Sequence, residues 1–175
     1  MKGTYPIAVA SLRAAAGILI STSLLAAAPD PGPARLALVI GNGAYGSAPL
    51  VNPPADARAI AERLRQAGFR VTLKIDAPRR DLQEAIRGFG DALARDKRAI
   101  GVFYYAGHGV QLNWRNFMLP VDAHIQRPAD IAAQGVDVGL LLEGLSRARN
   151  PLNLVILDAC RNNPFGPDFR TSDRG

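Results

Sequence analysis

The chain has 175 residues, which is enough for one domain with a hydrophobic core but short for two domains. Its composition, 48% hydrophobic and 21% charged, is that of a globular protein and argues against wholesale disorder. The formal net charge is +6, but the arginines are scattered through helical segments without a basic block or interleaved aromatic side chains. We therefore expect no nucleic-acid partner.

The first 28 residues have the pattern of a secretory signal peptide. Lys2 and Arg13 are the charged residues there, an apolar run extends from Ala14 to Ala28, and Ala26 and Ala28 form an A-x-A cleavage signal. The alternative is an uncleaved anchor, but the run is short for a membrane span. We expect cleavage after Ala28 and export to the periplasm or the extracellular space, with no stable membrane span left in the mature chain.

After a Pro-rich linker at residues 29–34, segments typical of strands and helices alternate. Apolar runs predict strands at Arg35–Ile40, Phe69–Ile75, Ala99–Gly107 and Asn153–Cys160. Apolar side chains at helical spacing predict helices at residues 54–68, 79–96 and 136–149, the first with Gly68 as its C-cap. This alternation favours an α/β three-layer sandwich, with a mainly parallel sheet and helices on both faces.

A glycine motif follows the first predicted strand. The segment LALVIGNGAYG, Leu36–Gly46, ends in G-x-G-x-x-G, the fingerprint of a dinucleotide-binding turn. In such a site the glycine loop opens a helix directly, because the pyrophosphate binds at the helix N-terminus. Here prolines at positions 49, 53 and 54 delay the helix, and Asp76, the acid ending the second strand, lies 30 residues after Gly46. The motif fails both tests, so we expect no nucleotide cofactor.

Two residues with catalytic side chains come at the ends of the third and fourth predicted strands. His108 comes just after the third strand, and Cys160, the only cysteine, comes just after the fourth. Because the carboxyl ends of parallel strands meet at one edge, an imidazole there can take the proton of a thiol nucleophile. The amides of Gly109 and Cys160 can face a developing oxyanion. The alternatives, a buried structural cysteine and a plain glycine turn, explain each residue alone, whereas the pairing favours cysteine-type acyl transfer.

Four segments together resemble the caspase-like cysteine peptidases, most closely their bacterial metacaspase-type members: ALVIGNGAY, LVNPPADA, VFYYAGHG and ILDACRNNPF. The resemblance implies a caspase-type large-subunit domain over residues 35–165, with His108 and Cys160 as the catalytic dyad and Gly109 in the oxyanion hole. It also implies polypeptide substrates cleaved after Arg or Lys, because Asp158 and Asp56 match acids of a basic-selective pocket. It leaves calcium stimulation open.

Family members usually continue into a small-subunit region that completes the sheet and the substrate cleft. This sequence stops at Gly175, after a polar segment at residues 166–175 that we expect to be a flexible tail or a truncated linker. We therefore expect that the small-subunit region is needed for activity. The alternative function is a catalytically incomplete caspase-like module that binds partners without cleaving them.

Three further residues have simpler interpretations. His124 is predicted to be a loop histidine, and no second His or Cys stands at zinc-ligand spacing, so we expect no structural metal. Trp114, near the tip of a hairpin predicted within residues 110–123, is expected to pack against its surroundings, with a place in a cleft as the alternative. Asp122 is either a turn residue or a cation ligand.

Overall fold

A computed structural model of the protein describes residues 32–159. The predicted signal peptide, the first half of the linker, residues 160–165 with Cys160, and the predicted tail lie outside the described residues. Within them, four parallel strands form the central sheet in the order second, first, third, last. These strands are β1 (Arg35–Gly41), β2 (Arg70–Ile75), β3 (Ile100–Ala106) and β7 (Leu152–Asp158).

Helices cover both faces of this sheet. Helix α1 (Pro53–Gln66) packs its Ala57 and Ala61 on one face, against alternate side chains of β1 and β3. Helices α2 (Arg79–Ala94) and α4 (Val138–Ala148) pack on the other face and contact each other. The predicted α/β three-layer sandwich is confirmed.

The helix boundaries have local physical causes. In α2, the apolar side chains at helical spacing are all buried: Leu82, Ile86, Phe89 and Leu93. Helix α1 ends at Gln66, and Gly68 beyond it adopts a φ of +81°, a left-handed conformation that glycine tolerates without steric cost. The C-cap itself is Ala67, so the predicted C-cap is displaced by one residue and Gly68 occupies the position after it.

A second, three-stranded sheet lies between β3 and α4 in the chain. The predicted hairpin consists of β4 (Gly109–Leu112) and β5 (Arg115–Met118), and the two-residue strand β6 (Val136–Asp137) pairs with β5. Helix α3 (Pro128–Gln134) was not predicted, because its seven residues contain one buried apolar side chain, Ile131, and show no periodicity. No helix within residues 32–159 is long and apolar enough to cross a membrane.

The expectation that Trp114 packs is wrong. The hairpin turns at Asn113 and Trp114, which have φ values of +50° and +62°, and the indole is 84% exposed. It lines a surface groove with Arg115 and Leu142. Positive φ at both central residues is typical of a type I′ turn, which places Trp114 at the tip of the hairpin.

Candidate active site

The register of β3 and β7 brings the carboxyl ends of these two strands to the same edge of the sheet. Ala106 pairs with Asp158 at the ends of these strands, and the N–H of Gly107 donates to the carbonyl of Asp158 at 3.4 Å. His108 is two residues beyond Ala106, and Cys160 is two residues beyond Asp158. The described part of the chain contains His108 but ends at the residue before Cys160.

A backbone carbonyl orients the imidazole of His108. Its Nε2 lies 2.7 Å from the carbonyl oxygen of Ala48. Since a carbonyl only accepts hydrogen bonds, Nε2 carries the proton, and in the neutral ring Nδ1 keeps its lone pair. The ring also contacts Tyr45, with centroids 4.4 Å apart and planes tilted by 48°. The imidazole therefore presents Nδ1 as a proton acceptor.

Gly109 begins β4 directly after His108 and pairs with Met118. It lines a pocket of mixed polarity, about 110 Å³ in volume, together with Ala159, the residue before Cys160. Val110, Phe117, Met118, Val138 and Leu157 complete the apolar part of the lining. The cavity thus lies beside chain neighbours of both predicted catalytic residues.

The two predicted substrate-binding acids lie near one tyrosine. The hydroxyl of Tyr104 donates to Oδ2 of Asp158 at 3.0 Å. Burial, the hydrogen bond to Asp158 and the charges of Asp158 and Asp56 together raise the pKa of Tyr104 to about 12. Both carboxylates are on exposed residues. The structure therefore brings Asp56 and Asp158 into one electrostatic environment on the α1 face.

The glycine-rich loop after β1 has its amides occupied within the protein. Asp76 accepts the N–H groups of Gly43 and Ala44 at 2.8 and 2.9 Å. A Cβ on Gly41 would collide with the carbonyl oxygen of Pro53, so this glycine permits close packing of α1 against β1. The G-x-G-x-x-G match is thus explained by packing and by an internal carboxylate rather than by a phosphate.

Known proteins of similar sequence decide the family. The family model described as the caspase domain matches residues 34–174. Mucosa-associated lymphoid tissue lymphoma translocation protein 1 from human is 33% identical over 129 residues, or 73% of this chain and 15% of its own length. Its mouse homolog gives the same identity and coverage. The chain belongs to the caspase-domain family.

Membership of this family makes the chain a relative of cysteine peptidases. The chain spans about 15% of the length of the curated relatives it matches.

Within the caspase domain, His124 is confirmed as an exposed loop residue. Asp122 accepts the N–H of Arg79, the first residue of α2, at 2.8 Å and so caps that helix. Among residues 32–159, no cluster of three or more His, Cys, Asp or Glu side chains is arranged to hold a metal ion.

Sequence reasoning missed several residues that hold His108 in the caspase domain. They are Asn42, Tyr45, Ala48, Asp76, Tyr105 and Leu119, through the contacts of the loop after β1 and of the His108 backbone. The one available signal was that Tyr45 lies within GNGAYG, a loop predicted at the same sheet edge as His108.

The Tyr104–Asp158 pair predicts a titration. Burial and Asp158 favour the neutral phenol and so raise the pKa of Tyr104 from 10 in the unfolded chain to about 12 in the folded one. The neutral phenol therefore stabilises the fold fully below pH 10, and this stabilisation is lost as pH rises through about 12. Replacing Asp158 by Asn should move the pKa of Tyr104 from about 12 toward 10 without reaching it, since burial remains.

The near-ultraviolet absorbance of tyrosinate measures this shift. Subtracting the titration of Tyr104→Phe isolates the Tyr104 signal in each background. An unchanged Tyr104 titration in Asp158→Asn would show that the carboxylate does not act on the hydroxyl.

Proposed function

We propose that the protein is an exported cysteine endopeptidase of the bacterial metacaspase type, which uses Cys160 and His108 and cleaves after Arg or Lys. The observation that carries this proposal is the β3–β7 register, which aligns Ala106 with Asp158 two residues before each catalytic position. The family match supports cysteine peptidase chemistry. Export rests on the pattern of residues 1–28.

In this proposal, Cys160 Sγ attacks the carbonyl carbon before the scissile bond, and its proton passes to Nδ1 of His108. The amides of Gly109 and Cys160 stabilise the oxyanion of the tetrahedral intermediate. The imidazolium then protonates the leaving amine, which leaves an acyl-enzyme. A water molecule, deprotonated by His108, hydrolyses the thioester and releases the thiol. The hydrogen bond from Nε2 to Ala48 keeps the ring oriented throughout.

Selectivity for basic residues follows from the two carboxylates near Tyr104. Asp158 keeps one oxygen engaged by the Tyr104 hydroxyl. Among residues 32–159 no hydrogen bond occupies its other oxygen, which we propose binds a guanidinium or ammonium group. The charge of Asp56 acts on the same region. A substrate carboxylate, in contrast, would meet two like charges there. We therefore propose Asp56 and Asp158 as the substrate-binding acids, with polypeptides carrying Arg or Lys as substrates.

One observation favours the alternative of a catalytically incomplete caspase-like interaction module. In the described part of the chain, β7 is at the end of the sheet. Its Leu152 and Leu154 are 56% and 52% exposed, and Ile156 and Leu157 are also exposed. An exposed apolar edge strand is a template for pairing with a further strand. We propose that a small-subunit region pairs with β7 and completes the substrate cleft.

The experiment that tests the function uses the full chain, by which we mean this sequence together with the small-subunit region that we expect it to need. The reporter peptides end in Arg, Lys or Asp before the reporter. We expect release from the Arg and Lys peptides and none from the Asp peptide. Cys160→Ala is the control and should abolish release, with and without added calcium. Preferred release after Asp would contradict the specificity, and release by Cys160→Ala would contradict the mechanism. Binding of partners by a folded chain that cleaves none of the peptides would support the interaction module.

A further inference from the structure

Two buried tyrosine hydroxyls hold the backbone of His108. The hydroxyl of Tyr45 accepts the N–H of His108 at 2.9 Å and donates to the carbonyl of Leu119 at 3.1 Å. The hydroxyl of Tyr105 lies 2.8 Å from the carbonyl of His108 and 3.0 Å from that of Leu119, and its single proton is shared between them. Burial raises the pKa of both tyrosines, so both hydroxyls keep their protons at neutral pH.

Tyr45 contacts the side chain of His108 as well. Its ring packs against the imidazole, while the carbonyl of Ala48, three residues further along the same loop, binds Nε2. One short loop therefore contacts the base at its backbone N–H, at its ring face and at Nε2. Rotation of the imidazole away from this position would break the hydrogen bond to Ala48.

The loop is itself anchored by side chains that do not touch His108. Asp76 accepts the amides of Gly43 and Ala44. The fully buried Asn42 accepts the N–H of Ala77 at 2.9 Å and donates to the carbonyl of Leu119 at 3.2 Å. These bonds cross from the loop to the segment after β2 and to the segment after β5. They determine where Tyr45 lies relative to His108.

Gly107 shows how closely the tyrosines approach the chain beside His108. A Cβ on this residue would lie 2.6 Å from the hydroxyl of Tyr45 and 2.8 Å from that of Tyr105. Real Cβ atoms do not make such contacts with buried, hydrogen-bonded oxygens. The glycine before His108 therefore makes room for both hydroxyls.

We propose that Tyr45 is a positioning residue for His108, and that Asp76 acts on the same imidazole through the glycine-rich loop. The expected effect on kcat rests on the proposed function, whereas the expected effect on the His108 ring does not. It assigns the G-x-G-x-x-G segment a role in holding the catalytic base. Asp76 then influences a side chain that it does not contact.

Kinetics test the proposal first. Tyr45→Phe should lower kcat about tenfold with KM nearly unchanged, because the His108 N–H loses its acceptor and the His108 backbone is held less firmly, while the ring contact stays. Tyr45→Leu, which also loses the ring contact, should lower kcat further, and Asp76→Ala should lower it about fivefold. The matched control is Asp130→Ala, since Asp130 likewise accepts two backbone amides, those of Gln126 and Arg127. Ile86→Ala controls for lost stability, because Ile86 is buried in the α2 core.

A spectroscopic readout separates this proposal from the peptidase activity. Long-range ¹H–¹⁵N spectra of the two histidines report which ring nitrogen carries the proton, with exposed His124 as internal reference and His124→Gln for assignment. In a Cys160→Ala background, which removes the thiol proton, His108 should be the Nε2–H tautomer, and it should become a mixture of tautomers when Tyr45→Leu or Asp76→Ala is added. These spectra decide the proposal even if the parent cleaves no peptide, a result that would overturn the proposed function alone.

Unchanged His108 spectra in both variants would overturn the positioning role. So would equal losses of kcat in Ile86→Ala or Asp130→Ala. Loss of kcat together with a mixed tautomer, in variants that melt within the range of the controls, would support it.

Discussion

Replacing His108 by Ala should lower kcat/KM for cleavage of an Arg peptide by about a thousandfold or more, because the thiol of Cys160 would lose its base. The strand register and the free lone pair on Nδ1 motivate this expectation. Initial rates with the full chain measure the effect. Circular dichroism on the same sample checks that the sheet still folds.

His124→Ala is the matched control, because His124 is an exposed loop histidine. It should keep nearly all activity. If His108→Ala retained activity within a few-fold of the parent, His108 would have no catalytic role and the proposed dyad would be wrong.

Replacing Asp158 by Ala should lower kcat/KM for Arg peptides by about 30-fold or more, the equivalent of about 2 kcal/mol in transition-state binding. The substitution removes the carboxylate that the Tyr104 hydroxyl orients. Asp56→Asn should have an effect in the same direction. The measurement is kcat/KM for matched Arg, Lys and neutral peptides.

Asp91→Ala provides a control with the same change in net charge, since Asp91 is an exposed residue of α2, on the opposite face of the sheet. Its kcat/KM should equal that of the parent. An equal loss for neutral and basic peptides in Asp158→Ala would contradict a specificity role and point to a structural one.

The parts of the fold that could be predicted from sequence are those with a local signal. Buried strands such as β1 and β3 are continuous apolar runs, and α2 has four apolar side chains at helical spacing. Helix α3 gives no such signal in seven residues. The exposure of Trp114 depends on a turn with left-handed backbone geometry at Asn113 and Trp114. The sequence Asn-Trp does not predict such a turn, because a glycine usually occupies the second position.

The site divides in the same way. His108 could be identified because histidine between glycines at a strand end is visible in the sequence. The residues that hold it could not, since Tyr45 is separated from it by 63 positions and reaches it only in the folded chain. The contacts of Asp76 with the loop span 32 and 33 positions. The sequence argument expected no nucleotide site and assigned the loop no other role.

The pH dependence of Cys160 alkylation tests the proposed dyad most directly, because it needs no substrate and Cys160 is the only cysteine. Iodoacetamide modification is followed by mass spectrometry from about pH 5 to pH 9, in the parent and in His108→Ala. At about pH 6 the parent should react at least about tenfold faster than His108→Ala, whose rate should rise only as a free thiol ionises, near pH 8.5. Superimposable free-thiol profiles in the two proteins would contradict the dyad.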